Sequence, residues 1–226
     1  MASSKAIEVS LGALSERFGA DVMQRQTVLS ALNREINAFD HEPYPILTNA
    51  SPTTLTPFRW GIVPPDWTKD PDSIWHLTYK AKLEYLNRRY AWKNIQRNRC
   101  IVPATAYFEY HWNDPKGKSK TKFRIESADS KIFGIAGLYA TWKDGSGQEL
   151  HTYAICTTTG NDVMKFVHNK DIEKDFYRMP IMLNKADERD WLDERIPATD
   201  FAFPAYKPNL RAEPCPGENG IQTTLF

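Results

Sequence analysis

Glu109 has the most chemically suggestive surroundings in this sequence. It lies in the stretch Ala106-Tyr107-Phe108-Glu109-Tyr110, where strand alternation puts Tyr107 and Glu109 on one face. Desolvation among aromatic rings raises a carboxyl pKa, which suits a proton donor or acceptor working near neutral pH. A plain surface carboxylate on the polar side of the strand is the competing reading. His168 closes a short helical stretch, where an imidazole serves either proton transfer or the negative end of the helix dipole. Trp60 reads equally as a core aromatic or a platform for a nucleobase, and Arg178 equally as an ion-pair partner or a phosphate ligand. No Ser-His-Asp order and no metal site supports general proteolysis.

Three cysteines, Cys100, Cys156 and Cys215, are odd in number, far apart and without a Cys-x-x-Cys pair, which implies a reducing compartment and no structural metal or other cofactor. No apolar run approaches the length of a bilayer span, and the first ten residues, MASSKAIEVS, lack both the basic and the apolar region of a secretion signal. A cytoplasmic protein without membrane attachment is expected. The net charge of +1 hides an uneven distribution: between Lys80 and Arg124, twelve Lys and Arg stand against three acids, giving +9, while the rest of the chain carries −8. Interleaved with Tyr79, Tyr85, Tyr90 and Trp92, this segment could pair phosphate contacts with stacking surfaces for unpaired bases. A solvated helix face followed by a lysine-rich loop would account for the same charges.

The elements that must position these groups follow from periodicity and turn chemistry. Ile7, Leu11, Leu14 and Phe18 recur at helical spacing between Ser3-Ser4 and Gly19, which predicts a capped amphipathic helix over residues 4–18. Short strands are expected at Tyr44 to Leu47 and Phe58 to Val63, separated by turn-rich loops. Tyr85 to Arg97 reads as helical or mixed, and Cys100 to Tyr110 as a strand in which Pro103 marks an edge or a bulge. Lys122 to Glu126, Ile132 to Trp142 and Leu150 to Thr157 read as strands, with a hairpin loop over Asn113 to Lys120 and a turn at Asp144 to Gly147. Asn161 is the expected N-cap of a short helix through Phe166 to His168, Pro180 to Leu183 is apolar again, and a last helix runs near Ala186 to Leu192. At 226 residues, without repeats or a strand-crossover rhythm, the chain is expected to form one α+β domain over residues 1–197. Its sheet should be curved, largely antiparallel and barrel-like, with peripheral helices, and residues 198–226 should be an extended or disordered tail.

Four stretches, in order, resemble the SOS response-associated peptidase (SRAP) family, whose members process abasic sites. Arg59 to Pro64 (RWGIVP) resembles the family's Trp-Gly-Leu-Ile-Pro segment and is followed by Trp67, one residue further on than in the family form. Thr78 to Glu84 (TYKAKLE) resembles Asn-Ala-Arg-Ala-Glu, with Lys80 where the family has a catalytic Asn and Lys82 where it has a phosphate-binding Arg. Arg99 to Tyr110 (RCIVPATAYFEY) is similar to Arg-Cys-Leu-Val-Pro-Ala-Asp-Gly-Phe-Tyr-Glu-Trp, the most specific match, and places Glu109 on the catalytic glutamate. Thr157 to Pro180 resembles the strand and helix leading to the family's active-site histidine, matched by His168, and then its Arg-Met-Pro run, although residues 169–177 are longer than usual.

The resemblance implies single-stranded or abasic DNA as partner, bound by a monomer in the DNA damage response. With the basic segment, it implies DNA contacts through Lys82, Trp60, Trp67, Arg88, Arg89, Thr157 and Arg178. In the family, removal of Met1 exposes a Cys whose α-amine attacks the aldehyde of a ring-opened abasic sugar and whose thiolate closes a thiazolidine. An α-amine with pKa of about 8 is substantially neutral at physiological pH, so the chemistry is apt. Here Met1 is followed by Ala2, Ser3 and Ser4, so the crosslinking thiol is missing and the family's activity is expected to be reduced, altered or lost. Two expectations remain: an imine formed through the Ala2 amine or Lys80, with Glu109 and His168 moving protons, or a binding module without covalent chemistry.

Overall fold

A computed structural model of the chain describes residues 3–170 and 177–216. The chain opens with strand β1 (Ser4–Ala6), helix α1 (Leu11–Phe18), the short strand β2 (Asp21–Val22), helix α2 (Arg25–Ser30) and strand β3 (Glu35–Asn37). Ser4–Ala6 is therefore a strand, and the helix expected over 4–18 begins only at Leu11. Ser10 is its actual cap, its hydroxyl accepting the Ala13 N–H at 3.2 Å, and Gly19 closes it in the left-handed conformation at φ 58°. Ser4 to Ala6 instead take sheet partners on both sides, β3 on one and the later strand 106–112 on the other, and Ile7 is buried without being helical.

Strands β4 (Pro43–Thr48) and β5 (Ser51–Trp60) form a hairpin around Asn49-Ala50. Sequence reading placed loop in part of this region, but the β-branched threonines of Ser51–Trp60 suit a strand. After two 3-10 turns come β6 (Lys80–Lys82), a 3-10 stretch over Leu83–Arg88 and the single-turn helix α3 (Tyr90–Lys93). The expected strand over 100–110 is two: β7 (Arg99–Ala104) and β8 (Ala106–Trp112) belong to different sheets, and the chain crosses between them at Thr105. Thr105 N–H donates to Ala6 O at 2.9 Å and its hydroxyl accepts the Glu8 N–H at 3.0 Å, so β1 fixes the crossing. Pro103 is tolerated because β4 pairs β7 only at Cys100 and Ile101; beyond that point β7 keeps the later strand Phe133–Lys143 alone as a ladder partner.

The remainder is β9 (Lys120–Ser127), β10 (Phe133–Lys143), β11 (Glu149–Thr159), α4 (Asp162–Val167), β12 (Arg178–Pro180), β13 (Met182–Leu183), α5 (Lys185–Leu192) and β14 (Leu210–Pro214). Strands β4, β5, β11, β10 and β7 close a five-stranded barrel, sealed by the parallel pairing of Arg59-Trp60 with Thr152-Tyr153. The second sheet runs β14-β9-β8-β1-β3. The fold is thus α+β with a largely antiparallel barrel, as the patterning predicts. Residues 198–214 differ from the expected tail: after a 3-10 turn at Ala198–Phe201, β14 pairs with β9 from Leu210 to Pro214, so the folded unit continues past residue 197. Residues 217–226, the rest of that tail, lie outside the described residues.

Inside the barrel Lys5 is 1 % exposed, its Nζ 2.6 Å from the Tyr153 hydroxyl and 3.3 and 3.8 Å from the ring centroids of Trp60 and Tyr44. The aromatic faces offset part of the cost of burying an ammonium. Burial still holds the Lys5 pKa well below the ordinary lysine value.

Candidate functional site

Strand β8 of the second sheet carries Glu109, with Phe123 of β9 opposite it and Tyr107 two residues earlier on the same face. Helix α4 brings His168. Asn161 caps the helix, its Oδ1 accepting the Met164 N–H at 3.1 Å, and His168 N–H closes the last turn onto Met164 O at 2.7 Å. Three contacts lay this helix along β8. The Tyr107 hydroxyl donates to Met164 Sδ at 3.3 Å, the His111 ring stacks on Phe166 at 4.9 Å, and the Asn169 side chain bonds Trp112 N–H and Trp112 O at 2.8 and 2.9 Å. The result is a 3.1 Å contact between His168 Nδ1 and Glu109 Oε2, with both residues buried. The other carboxylate oxygen accepts the Tyr110 N–H at 2.9 Å.

This geometry corrects the expected direction of the Glu109 pKa. Burial is the largest single influence and does push it up, but the lowering influences, of which the hydrogen bond with His168 is the largest, together outweigh it, and the net shift is downward. Glu109 is therefore a carboxylate at neutral pH, fit to accept a proton or to stabilise a neighbouring cation.

A second cluster lies along β11. Strand β6 pairs with it in parallel, placing Lys80 beside Ile155 and Lys82 beside Thr157, both lysines half-buried. Arg178 on β12 is buried and donates from Nη2 to Thr157 O at 2.7 Å and to Thr157 Oγ1 at 3.1 Å, while Nη1 and Nη2 both engage the Glu84 carboxylate. Of the two readings of Arg178, the geometry is that of an ion-pair partner: a phosphate would have to displace Glu84. Thr157 is buried, its hydroxyl donating to Ala81 O at 3.3 Å. Trp60 is fully enclosed, its ring stacked on Tyr153 and its indole N–H donated to Tyr79 O at 2.7 Å, so no base can reach its face. Trp67 is half-exposed against Tyr90, and Arg88 and Arg89 are exposed. Ala2 lies outside the described residues.

The basic segment is partly consumed by the fold. Arg99 is buried and donates to the carbonyls of Trp191, Asp193 and Ile196, Lys122 pairs with Glu35, and Arg124 pairs with Glu8 and Glu126. Sequence reading missed Lys5 and its aromatic box, because a helix over 4–18 would have left that side chain in solvent. It also missed Asn169 and His111, whose only sequence signal is their position beside His168 and Glu109. No described helix is long and apolar enough to cross a membrane.

The family described as "SOS response associated peptidase (SRAP)" matches residues 1–214. The chain is 33% identical over 157 residues to the abasic site processing protein YoqW of Bacillus subtilis, covering 69% of this chain and 65% of that protein, just under two thirds of its length. It is 32% identical over 140 residues to the abasic site processing protein YMR114C of Saccharomyces cerevisiae, covering 60% of this chain and 34% of that protein. A crystal structure of a protein from Bacteroides thetaiotaomicron superimposes with a TM-score of 0.80 at 26% identity, covering 93% of this chain and 91% of the other.

Proposed function

Since the chain belongs to the SOS response associated peptidase (SRAP) family, we propose that it engages abasic sites in single-stranded DNA and forms a reversible imine with them. The observation that carries this reading is the Glu109-His168 pair at the place where the start of the chain arrives. Ser4 pairs with Phe108, so continuing the register of β1 leads Ser3 toward Glu109. A neutral amine, of Lys80 or of Ala2, adds through its nitrogen lone pair to the C1′ aldehyde of the ring-opened sugar. Glu109 accepts the proton that the nitrogen sheds and passes it to the carbinolamine oxygen, and His168 donates a second proton to that hydroxyl, which leaves as water and gives the protonated imine. Hydrolysis runs the same steps backwards. Cys100 and Cys156 are buried in the barrel and Cys215 follows the last strand, so none supports closure of a thiazolidine, and the adduct stays reducible.

Borohydride added during incubation with an abasic oligonucleotide tests this. A protein-DNA adduct whose intact mass corresponds to the reduced imine is expected, and Glu109→Gln should lower its yield at least tenfold. Failure to trap any adduct would remove the covalent step. The second reading, a non-catalytic single-stranded DNA-binding module, is favoured by the exposed Arg88 and Arg89. It predicts equal affinity for intact and abasic strands, unaffected by Glu109→Gln.

A further inference from the structure

Phe39 is an apolar ring with no place in the core. It is 51 % exposed, on the 3-10 turn Ala38–Asp40 between β3 and β4. The turn is nevertheless firmly built. Asn37 Oδ1 accepts the Phe39 N–H at 2.9 Å, the His41 ring stacks on Trp75 at 3.8 Å, and His41 Nδ1 lies 2.7 Å from Trp60 O. Residue 41 holds a left-handed backbone at φ 50°, which a non-glycine residue keeps only where its surroundings fix it. The Phe39 ring meets the edge of Tyr79 at 5.2 Å, and Tyr79 in turn is backed by Trp60 at 6.4 Å. Lys80 Nζ lies 4.8 Å from the centroid of the Tyr79 ring.

The location of this group follows from the sheet. Asn37, Ser4 and Phe108 are paired across β3, β1 and β8, and the Ala38 N–H donates to Ser3 O at 2.7 Å, so the next row runs Ala38, Ser3, Glu109. Two strand spacings, about 10 Å, separate the backbone at Ala38 from that at Glu109. An exposed aromatic face held rigidly, a cation beside its neighbour and a proton-transfer pair within one nucleotide's reach form a combination suited to an unpaired base and its phosphate.

We propose that Phe39, backed by Tyr79 and flanked by Lys80, is a stacking seat for one unpaired nucleobase adjoining the lesion held at Glu109 and His168. The seat rests on the reading of DNA as the ligand, and replaces the enclosed Trp60 as the platform for a base. It is sequence-tolerant, since every base offers a π face, and it selects for unpaired over duplex DNA because a paired base cannot leave its stack without cost.

The test uses the full chain and a single-stranded oligonucleotide carrying a tetrahydrofuran abasic analogue, with 2-aminopurine placed on one side of it or the other. Wild-type protein should quench 2-aminopurine at one of the two positions. Phe39→Ala should abolish that quenching and weaken binding about tenfold, whereas Phe39→Trp should retain both. Thermal unfolding of Phe39→Ala at the wild-type temperature excludes misfolding, as expected for a half-exposed ring. Wild-type affinity and quenching in Phe39→Ala would overturn the seat and leave the DNA reading standing, whereas no binding of the oligonucleotide by the wild type would overturn both.

Discussion

Glu109 and His168, 59 residues apart in the chain, share a 3.1 Å hydrogen bond in which both side chains are closed off from solvent. The lowered pKa of Glu109 in this contact has consequences that can be measured separately from any DNA chemistry.

The first consequence concerns acid stability. The Glu109 pKa is lowered on folding, so the folded carboxylate contributes stability that is fully present above the unfolded value of about 4.3 and is lost as pH falls through the folded value. Urea unfolding between pH 3 and pH 6 should show a steeper loss of stability in the wild type than in Glu109→Gln. Equal slopes would mean that the pair is not ionised as described.

Lys5 should behave in the opposite sense. Its folded pKa lies well below the ordinary lysine value, so between the two the unfolded chain binds the extra proton, and stability from this residue rises with pH across that window. Compared with Lys5→Met, which fills the same space without a charge, the wild type should gain stability from pH 7 to pH 9. Lys5→Ala should cost about 2–4 kcal/mol by opening a cavity between Trp60, Tyr44 and Tyr153. Denaturant midpoints at each pH give both answers.

Arg178 separates a structural role from a nucleic-acid role. Arg178→Ala leaves the Glu84 carboxylate and Thr157 O without their donor, so a loss of about 3 kcal/mol is expected. The double variant Arg178→Met, Glu84→Met should recover most of it. If instead the single variant keeps its stability and loses salt-dependent DNA binding, Arg178 is a phosphate ligand after all.

The exposed cations should govern salt dependence. Arg88→Ala and Arg89→Ala should each weaken binding of any single strand and flatten the plot of log affinity against log salt by about 0.7 for each phosphate left without its cation. Arg99→Ala should leave that slope unchanged and unfold the chain at lower denaturant, because its guanidinium serves the carbonyls of Trp191, Asp193 and Ile196.

Local chemistry was the legible part of this sequence. Asn161 could be recognised as a cap and Asp144 to Gly147 as a turn because each acts over four or five residues, and both are found so. The short spacing from Asn161 to His168 then fixes where the imidazole emerges. Less legible was anything decided by a distant partner. Ser4 to Ala6 is a strand only because β3 and β8 flank it, and Leu210 to Pro214 only because β9 offers a free edge. Charge counting failed in the same way: Arg99 looks like its neighbours in the basic segment until the carbonyls that it serves come together around it.

The parallel seam between Arg59-Trp60 and Thr152-Tyr153 also sets a timetable. Strand β5 is synthesised long before the strand that seals it, so the barrel cannot shut until some ninety further residues have left the ribosome. Until then Trp60 and the ammonium of Lys5 lack Tyr153, and a nascent chain carries an open apolar trough that invites chaperones or its own copies. Long-range closure of this kind is slow, on the order of milliseconds to seconds, which makes completion of the seam, rather than formation of any single helix, the step that decides how much of the newly made protein becomes competent.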